Sequence, residues 1–280
     1  RKTAKAAGAA EGVNTLASYL KSDVDLNIPV SKVKQEKTFA VIIANENYQE
    51  EVNVEFALND GMAFREYCVK LLGIPESNLH IRKDATLNNM LAEINWMQDI
   101  AKAYGAEARF IFYYAGHGMP DESNGTSYLL PVDGKSNILA TGYSMSRLYA
   151  ELNGLNAACV TVLMDACFSG SLRGDGMLAS ARGVAIKAKG SESKGNMVVL
   201  SAAQGDETAY PLDGQHHGMF TYYLLKKLKE SKGSANLGSL FDYVKDNVVK
   251  KSLVVNGKRQ TPTSSPSATV YDKWRNWTLK

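Results

Sequence analysis

Cysteine is scarce in this chain: there are three among 280 residues, an odd number and widely spaced. That excludes a disulfide framework, and no Cys-x-x-Cys or His-Glu-x-x-His string offers a zinc site. Surplus charge is also small. A formal +3 on 30.5 kDa, with no run of Lys or Arg, leaves no electrostatic footprint for nucleic acid. No apolar run reaches membrane-spanning length, which is about 18 residues, so nothing in the sequence reads as a membrane span. Internal repeats are missing. The first residue is Arg1 rather than Met, which reads as a trimmed, soluble chain from which any targeting signal has already gone, and the compartment is not readable. What is present, 45% hydrophobic and 22% charged residues, is the composition of a globular enzyme built as one large domain or two small ones.

Hydrophobic patterning alternates between strand and helix. Residues 1–36 are rich in Ala, Ser and Lys, with only a helical hint at 13–20, and read as an extension that wraps the surface or links to something else. Thr38–Ala44 reads as a buried strand, followed by the polar loop Asn45–Tyr48. A helix is expected from Asn59 to Leu72, with Phe64, Tyr67, Cys68 and Leu71 on one face, stopped by Gly73 and Pro75. His80–Arg82 is a short strand. Thr86 is a fair N-cap for a helix burying Leu87, Leu91, Ile94, Met97 and Tyr104. Ala108–Ala115 is a second continuous apolar strand, which stops at Gly116-His117-Gly118. Tyr128–Asp133 reads as an edge segment, because Pro131 cannot sit in a central strand. A helix over Ser144–Leu152 leads into the strand Val160–Leu163. After it, 172–195 is a Gly-, Ser- and Lys-rich loop without periodicity, and loops of that length are functional or cut. Met197–Ser201 is a strand, Met219–Lys229 and Leu237–Val249 are helices, and the tail packs as a loop plus a last strand. Such alternation places helices on both faces of a mostly parallel sheet of about six strands.

The chemistry sits at strand ends. Asp165-Ala166-Cys167 and Ser169-Gly170 break a buried strand at its C-terminal end, where open α/β sheets place their ligands. His117 ends the other strand in the same way, so the two strands would set an imidazole beside a thiol. An unperturbed thiol, with a pKa of about 8.5, is only a few per cent thiolate at neutral pH. His117 can supply what is lacking, as a base or by shuttling a proton to a leaving amine. The backbone N–H groups of Gly118 and Cys167 are the natural donors to a developing oxyanion, and the glycines flanking His117 would let a substrate backbone approach. Cys68 and Cys159 read as plain core, and His216 and His217 as surface or rim residues. Gly174-Asp175-Gly176 is too weak to be a phosphate loop.

Tyr113-Tyr114-Ala115-Gly116-His117-Gly118 and Asp165-Ala166-Cys167-Phe168-Ser169-Gly170 resemble the histidine and cysteine boxes of caspase-like cysteine peptidases (clan CD, family C14), prokaryotic caspase-like enzymes and metacaspases above all. The histidine precedes the cysteine by fifty residues, as in the caspase signature. Asp165 replaces the caspase Gln, as it does in metacaspases. Ala40–Tyr48, Leu58-Asn59-Asp60, Tyr128–Asp133, Ser201–Ala203 and Gly218–Thr221 extend the resemblance over about 37–280. It implies a caspase–haemoglobinase fold, in a bacterial peptidase that works as a monomer through a His117/Cys167 dyad. It also implies a catalytic domain over 37–280, divided into a large-subunit-like part (37–171), a processing loop (172–195) and a small-subunit-like part (196–280). Asp60 and Asp165 match positions lining the metacaspase S1 pocket, where two carboxylates would select Arg or Lys at P1. Asp60 would also suit the first turn of a helix. Many metacaspases need calcium, but Thr141–Ser144 and Leu172–Asp175 are too poor in carboxylates for such a site, so no metal or other cofactor is expected. Arg173, Arg182, Lys187, Lys189 and Lys194 are the candidate sites of self-cleavage. A peptidase of acidic P1 preference and a non-catalytic caspase-like interaction module are the competing readings.

Overall fold

The structure is a computed structural model that describes residues 22–121, 125–168, 195–205 and 207–280. The helical hint at 13–20, residues Ser169 and Gly170, and all of the 172–195 loop except Gly195 lie outside the described residues, and with them the five candidate cleavage sites and the 174–176 triplet.

In chain order the described residues form β1 (Thr38–Ala44), α1 (Ala57–Glu66) continued by a π-helical turn (Tyr67–Leu72), β2 (Leu79–Lys83), α2 (Leu87–Tyr104), β3 (Arg109–Asp121), β4 (Thr126–Leu129) and β5 (Tyr143–Ser144). There follow α3 (Met145–Asn153), β6 (Cys159–Cys167), β7 (Met197–Ser201), β8 (Pro211–Leu212), β9 (His217–Gly218), α4 (Met219–Glu230), α5 (Leu237–Asn256) and β10 (Thr263–Pro266). Six strands make the central sheet, in the order β10-β7-β6-β3-β1-β2. Every pairing among β2, β1, β3, β6 and β7 is parallel, and β10 closes one edge antiparallel to β7.

Strand alternation sorts the core into two layers. Ala40, Ile42, Ile111, Tyr113, Ala115 and Leu163 face α1, α4 and α5. Phe39, Val41, Ile43, Phe110, Phe112, Tyr114, Val162 and Met164 face α2 and α3. The outcome is an α/β sandwich with a mixed, mostly parallel sheet.

Some elements depart from the sequence reading for physical reasons. Helix α1 begins at Ala57 rather than Asn59, because the Glu46 carboxylate accepts the Leu58 N–H (2.9 Å) and caps the helix from a distant loop. Thr86 does cap α2, in a reciprocal box with Asn89. The buried face of α2 is Met90, Glu93, Ile94, Met97 and Ala101, with Leu87 and Leu91 only partly covered and Tyr104 exposed. Glu93 can lie inside because Arg82 and His80 of β2 pair with it. Strand β3 does not stop at Ala115. Gly116 and His117 still pair with Ala166 and Cys167, after which the strand turns to pair antiparallel with β4. Helix α5 runs on to Asn256 and ends at Gly257 in the left-handed region (φ 64°).

Candidate active site

His117 and Cys167 are brought together. They are the last pair in the parallel register of β3 and β6, directly opposite one another at the C-terminal edge of the two central strands. Tyr113, Ala115 and His117 alternate onto one face of β3, and Leu163, Asp165 and Cys167 onto the same face of β6. Thiol, imidazole and Asp165 therefore all turn toward α1 and α4.

His117 is buried, and its ring is oriented from two sides. Nε2 lies 2.7 Å from the Val52 carbonyl oxygen. A carbonyl can only accept, so Nε2 carries a proton. The Tyr48 ring packs on the imidazole with centroids 4.7 Å apart, and its hydroxyl accepts the His117 backbone N–H (2.7 Å). Burial pushes the Tyr48 phenol well up, so it stays neutral. Anchors hold the loop that carries Tyr48 and Val52: Asp84 accepts from the N–H groups of Glu46 and Asn47 (2.9 Å each), and Glu51 accepts from Ser136 N–H (2.7 Å). The sequence alone assigns no role to Tyr48 or to the Val52 carbonyl, because each contact has a backbone group on one side and leaves no paired residue-type signal.

The flanking glycines act differently from the expectation. The space a side chain would take at Gly116 (φ 155°) is filled by the Tyr48 and Tyr114 hydroxyls. At Gly118 it is filled by the Phe168 ring and the Cys167 carbonyl oxygen. These glycines admit neighbouring protein groups rather than holding room for a substrate. Cys167 is half-buried, its sulfur accepting the Ala209 N–H (2.8 Å) and facing the Ala209 carbonyl oxygen (3.3 Å).

Asp60 and Asp165 also converge. A Cβ on Gly218 would collide with both carboxylates, so glycine is required where β9 meets α4. Asp60, in the first turn of α1, accepts the Gly218 N–H at 2.9 and 3.2 Å. Asp165 accepts from the Thr221 N–H (3.1 Å) and hydroxyl (2.7 Å). Both carboxylates are thereby held at the N-terminal end of α4, where free N–H groups and the helix dipole favour negative charge.

The expectation for His217 is overturned, while His216 does lie partly exposed. His217 has no exposed surface. Its Nδ1 lies 2.6 Å from Asp60 Oδ1, and its Nε2 lies 3.1 and 3.2 Å from the two oxygens of Asp25. With a carboxylate on each ring nitrogen, it is held as the imidazolium. Burial works against that charge, but the bonds to Asp25 and Asp60 push His217 up to about 9. Burial raises Asp60 to about 7, against the bond and charge of His217, and the Asp165 charge adds to the rise.

Among the described residues no group of three or more His, Cys, Asp or Glu side chains is placed to hold a metal ion, and no helix is long and apolar enough to cross a membrane.

A mostly parallel α/β sandwich thus carries a thiol and an imidazole on adjoining strand ends, the pair that a cysteine nucleophile and its acid/base partner require. Residues 37–271 match the family described as the caspase domain, and the chain belongs to that family. It is a caspase-family cysteine peptidase domain, whose substrates are proteins. Its fold is similar to that of a Geobacter sulfurreducens protein (TM-score 0.56, 19% identity, covering 82% of this chain and 93% of that one). It is equally similar to that of caspase-1 from Spodoptera frugiperda (TM-score 0.56, 13% identity, 88% and 93%). No curated protein sequence matches the chain significantly.

Proposed function

We propose that this chain is a cysteine endopeptidase that cuts after Arg or Lys, with Cys167 as nucleophile and His117 as its acid/base partner. The observation that carries the reading is the opposed register of these two residues, with Val52 fixing the imidazole tautomer. In the proposed reaction, Cys167 Sγ attacks the scissile carbonyl carbon and its proton passes to His117 Nδ1. His117 then returns that proton to the leaving amine, and water hydrolyses the thioester. The N–H groups of Gly118 and Cys167 would stabilise the oxyanion.

Asp60 and Asp165 are assigned to the S1 pocket. Two carboxylates meet at Gly218 and a third, Asp25, lies on the far side of the single imidazolium of His217, so the cluster keeps a net negative charge that favours a cationic P1 side chain and repels Asp. We assign 1–36 to an extension and 37–280 to the catalytic domain, split into 37–171 and 196–280 around a processing loop at 172–195. Self-cleavage would fall at Arg173, Arg182, Lys187, Lys189 or Lys194, and an intact single band in active wild type, matching Cys167→Ala, would remove that part. No calcium requirement is proposed.

The test is cleavage of matched P1-Arg, P1-Lys and P1-Asp peptides by wild type and Cys167→Ala, with EDTA and then with added calcium. Cleavage of the basic peptides is expected, abolished in the variant and indifferent to EDTA. Cleavage of the Asp peptide alone would overturn the pocket assignment. A folded protein that cleaves nothing, and whose Cys167 resists a peptidyl electrophile, would favour the interaction module.

A further inference from the structure

The stretch that precedes the family-matched residues reaches into the acidic cluster. Residues 22–27 are clamped from three directions. Val24 is fully buried in the core shared by α1, α4 and α5, and its carbonyl accepts from the Tyr67 hydroxyl (2.6 Å). Lys229 of α4 donates to the carbonyls of Asp23 (2.6 Å) and Leu26 (2.5 Å), and Ser22 Oγ donates to Gln215 before β9 (2.8 Å). Asp25 is thereby turned inward with its side chain wholly buried. A carboxylate out of water is tolerated only with charge or donors to satisfy it. His217 supplies the charge, and the Ser22 N–H adds a donor (3.2 Å).

Asp25 and Asp60 thus lie at opposite ends of one buried imidazole. The other polar groups near that ring are Asn59 of α1, whose Nδ2 lies 3.5 Å from both nitrogens, and Asp165 of β6 across Gly218. Lys226 and Lys229 bind the 22–27 segment rather than the ring. With Asp25 displaced or neutralised, Nε2 would lose its anionic partner, and the charge and orientation of the ring would rest on Asp60 and Asn59 alone.

We infer that Asp25 is a positioning residue for substrate recognition: through His217 it fixes the direction and charge of Asp60, so binding of a basic P1 side chain depends on a segment outside the matched caspase domain. The inference rests on the assignment of Asp60 to the S1 pocket made above.

The test compares the wild-type chain of residues 1–280 with Asp25→Asn, which keeps size and removes charge, and with Lys229→Met, which loosens the segment from α4 without touching the cluster. KM and kcat are measured on a P1-Arg peptide, and the rate of Cys167 alkylation by iodoacetamide, which has no P1 group, reports the nucleophile alone. Asp25→Asn should raise KM about tenfold, a loss of roughly 1.4 kcal/mol in binding, with kcat and alkylation within about twofold of wild type. Lys229→Met should move KM the same way by about twofold or more. Unchanged KM in both variants overturns the inference while leaving the basic specificity standing. A fall in kcat and alkylation in step with the rise in KM also overturns it, since that is what a purely structural role would produce. A wild type that is alkylated but cleaves neither Arg nor Lys peptides removes the specificity reading, and the inference with it.

Discussion

At the scale of single residues, the Tyr48 hydroxyl does work that its ring cannot. It accepts the backbone N–H of His117, a buried donor next to the candidate base. Tyr48→Phe keeps the ring against the imidazole but takes that acceptor away, at a cost of about 1–3 kcal/mol. The unfolding free energy in urea should drop by that amount, and an unaltered value would mean that another group takes over the N–H. His117 and Cys167 were legible because small residues interrupt buried strands at those points. His217 was not legible: in Gly214-Gln215-His216-His217-Gly218 nothing local tells an inward histidine from an outward one. Its burial is decided by Asp60 and Asp25, which arrive from elsewhere in the chain. Asp25 lies in a polar stretch without periodicity, so the sequence gives no sign that its side chain turns inward.

At the scale of elements, strands were read more closely than helix ends. β1 and β7 have the expected bounds because a short buried run rich in Val and Ile has few other ways to fold. The start of α1 depends on Glu46, and the last turn of α5 exposes Leu253, Val254 and Val255, so neither end carries an amphipathic signal. The junction of β9 and α4 confers a pH dependence. His217 is raised to about 9 in the folded protein, against about 6.5 in an unfolded chain. A proton held more tightly by the folded state contributes its full stabilisation below the unfolded value, and that contribution is lost as pH rises through the folded one. Asp60, raised to about 7, acts with the same sign at lower pH. Unfolding free energy should therefore decline between about pH 6.5 and 9, with a shallower slope in His217→Gln. A wild-type profile that is level across this window would rule out a buried imidazolium.

At the scale of the whole molecule, the described part of the N-terminal stretch is packed into the fold rather than trailing from it. Val24 has no exposed surface and touches the core that α1 shares with α4 and α5. Val24→Ala should lower thermal and urea stability by about 1–3 kcal/mol through lost burial and the cavity left behind. A loss below about 0.5 kcal/mol would mean that the stretch adds little to the core. The sheet order was only partly legible. Alternating strands and helices imply a parallel sheet, but which strands are neighbours is set by packing between distant segments, and the two-residue strands β5, β8 and β9 are too short to leave a pattern.

The pairing of β3 with β6 has a consequence for the life of the newly made chain. The facing residues of these strands are far apart in sequence, and β4, β5 and α3 are laid down between them. Closing so wide a loop comes at an entropic cost before any contact rewards it. A slip of one position would turn His117 to the opposite layer, and the donors that hold Asp60 and Asp165 come from Gly218 and Thr221, further on still. Until β9 and α4 have been added, then, the chain carries His117 and Cys167 without the donors that hold the two carboxylates beside them.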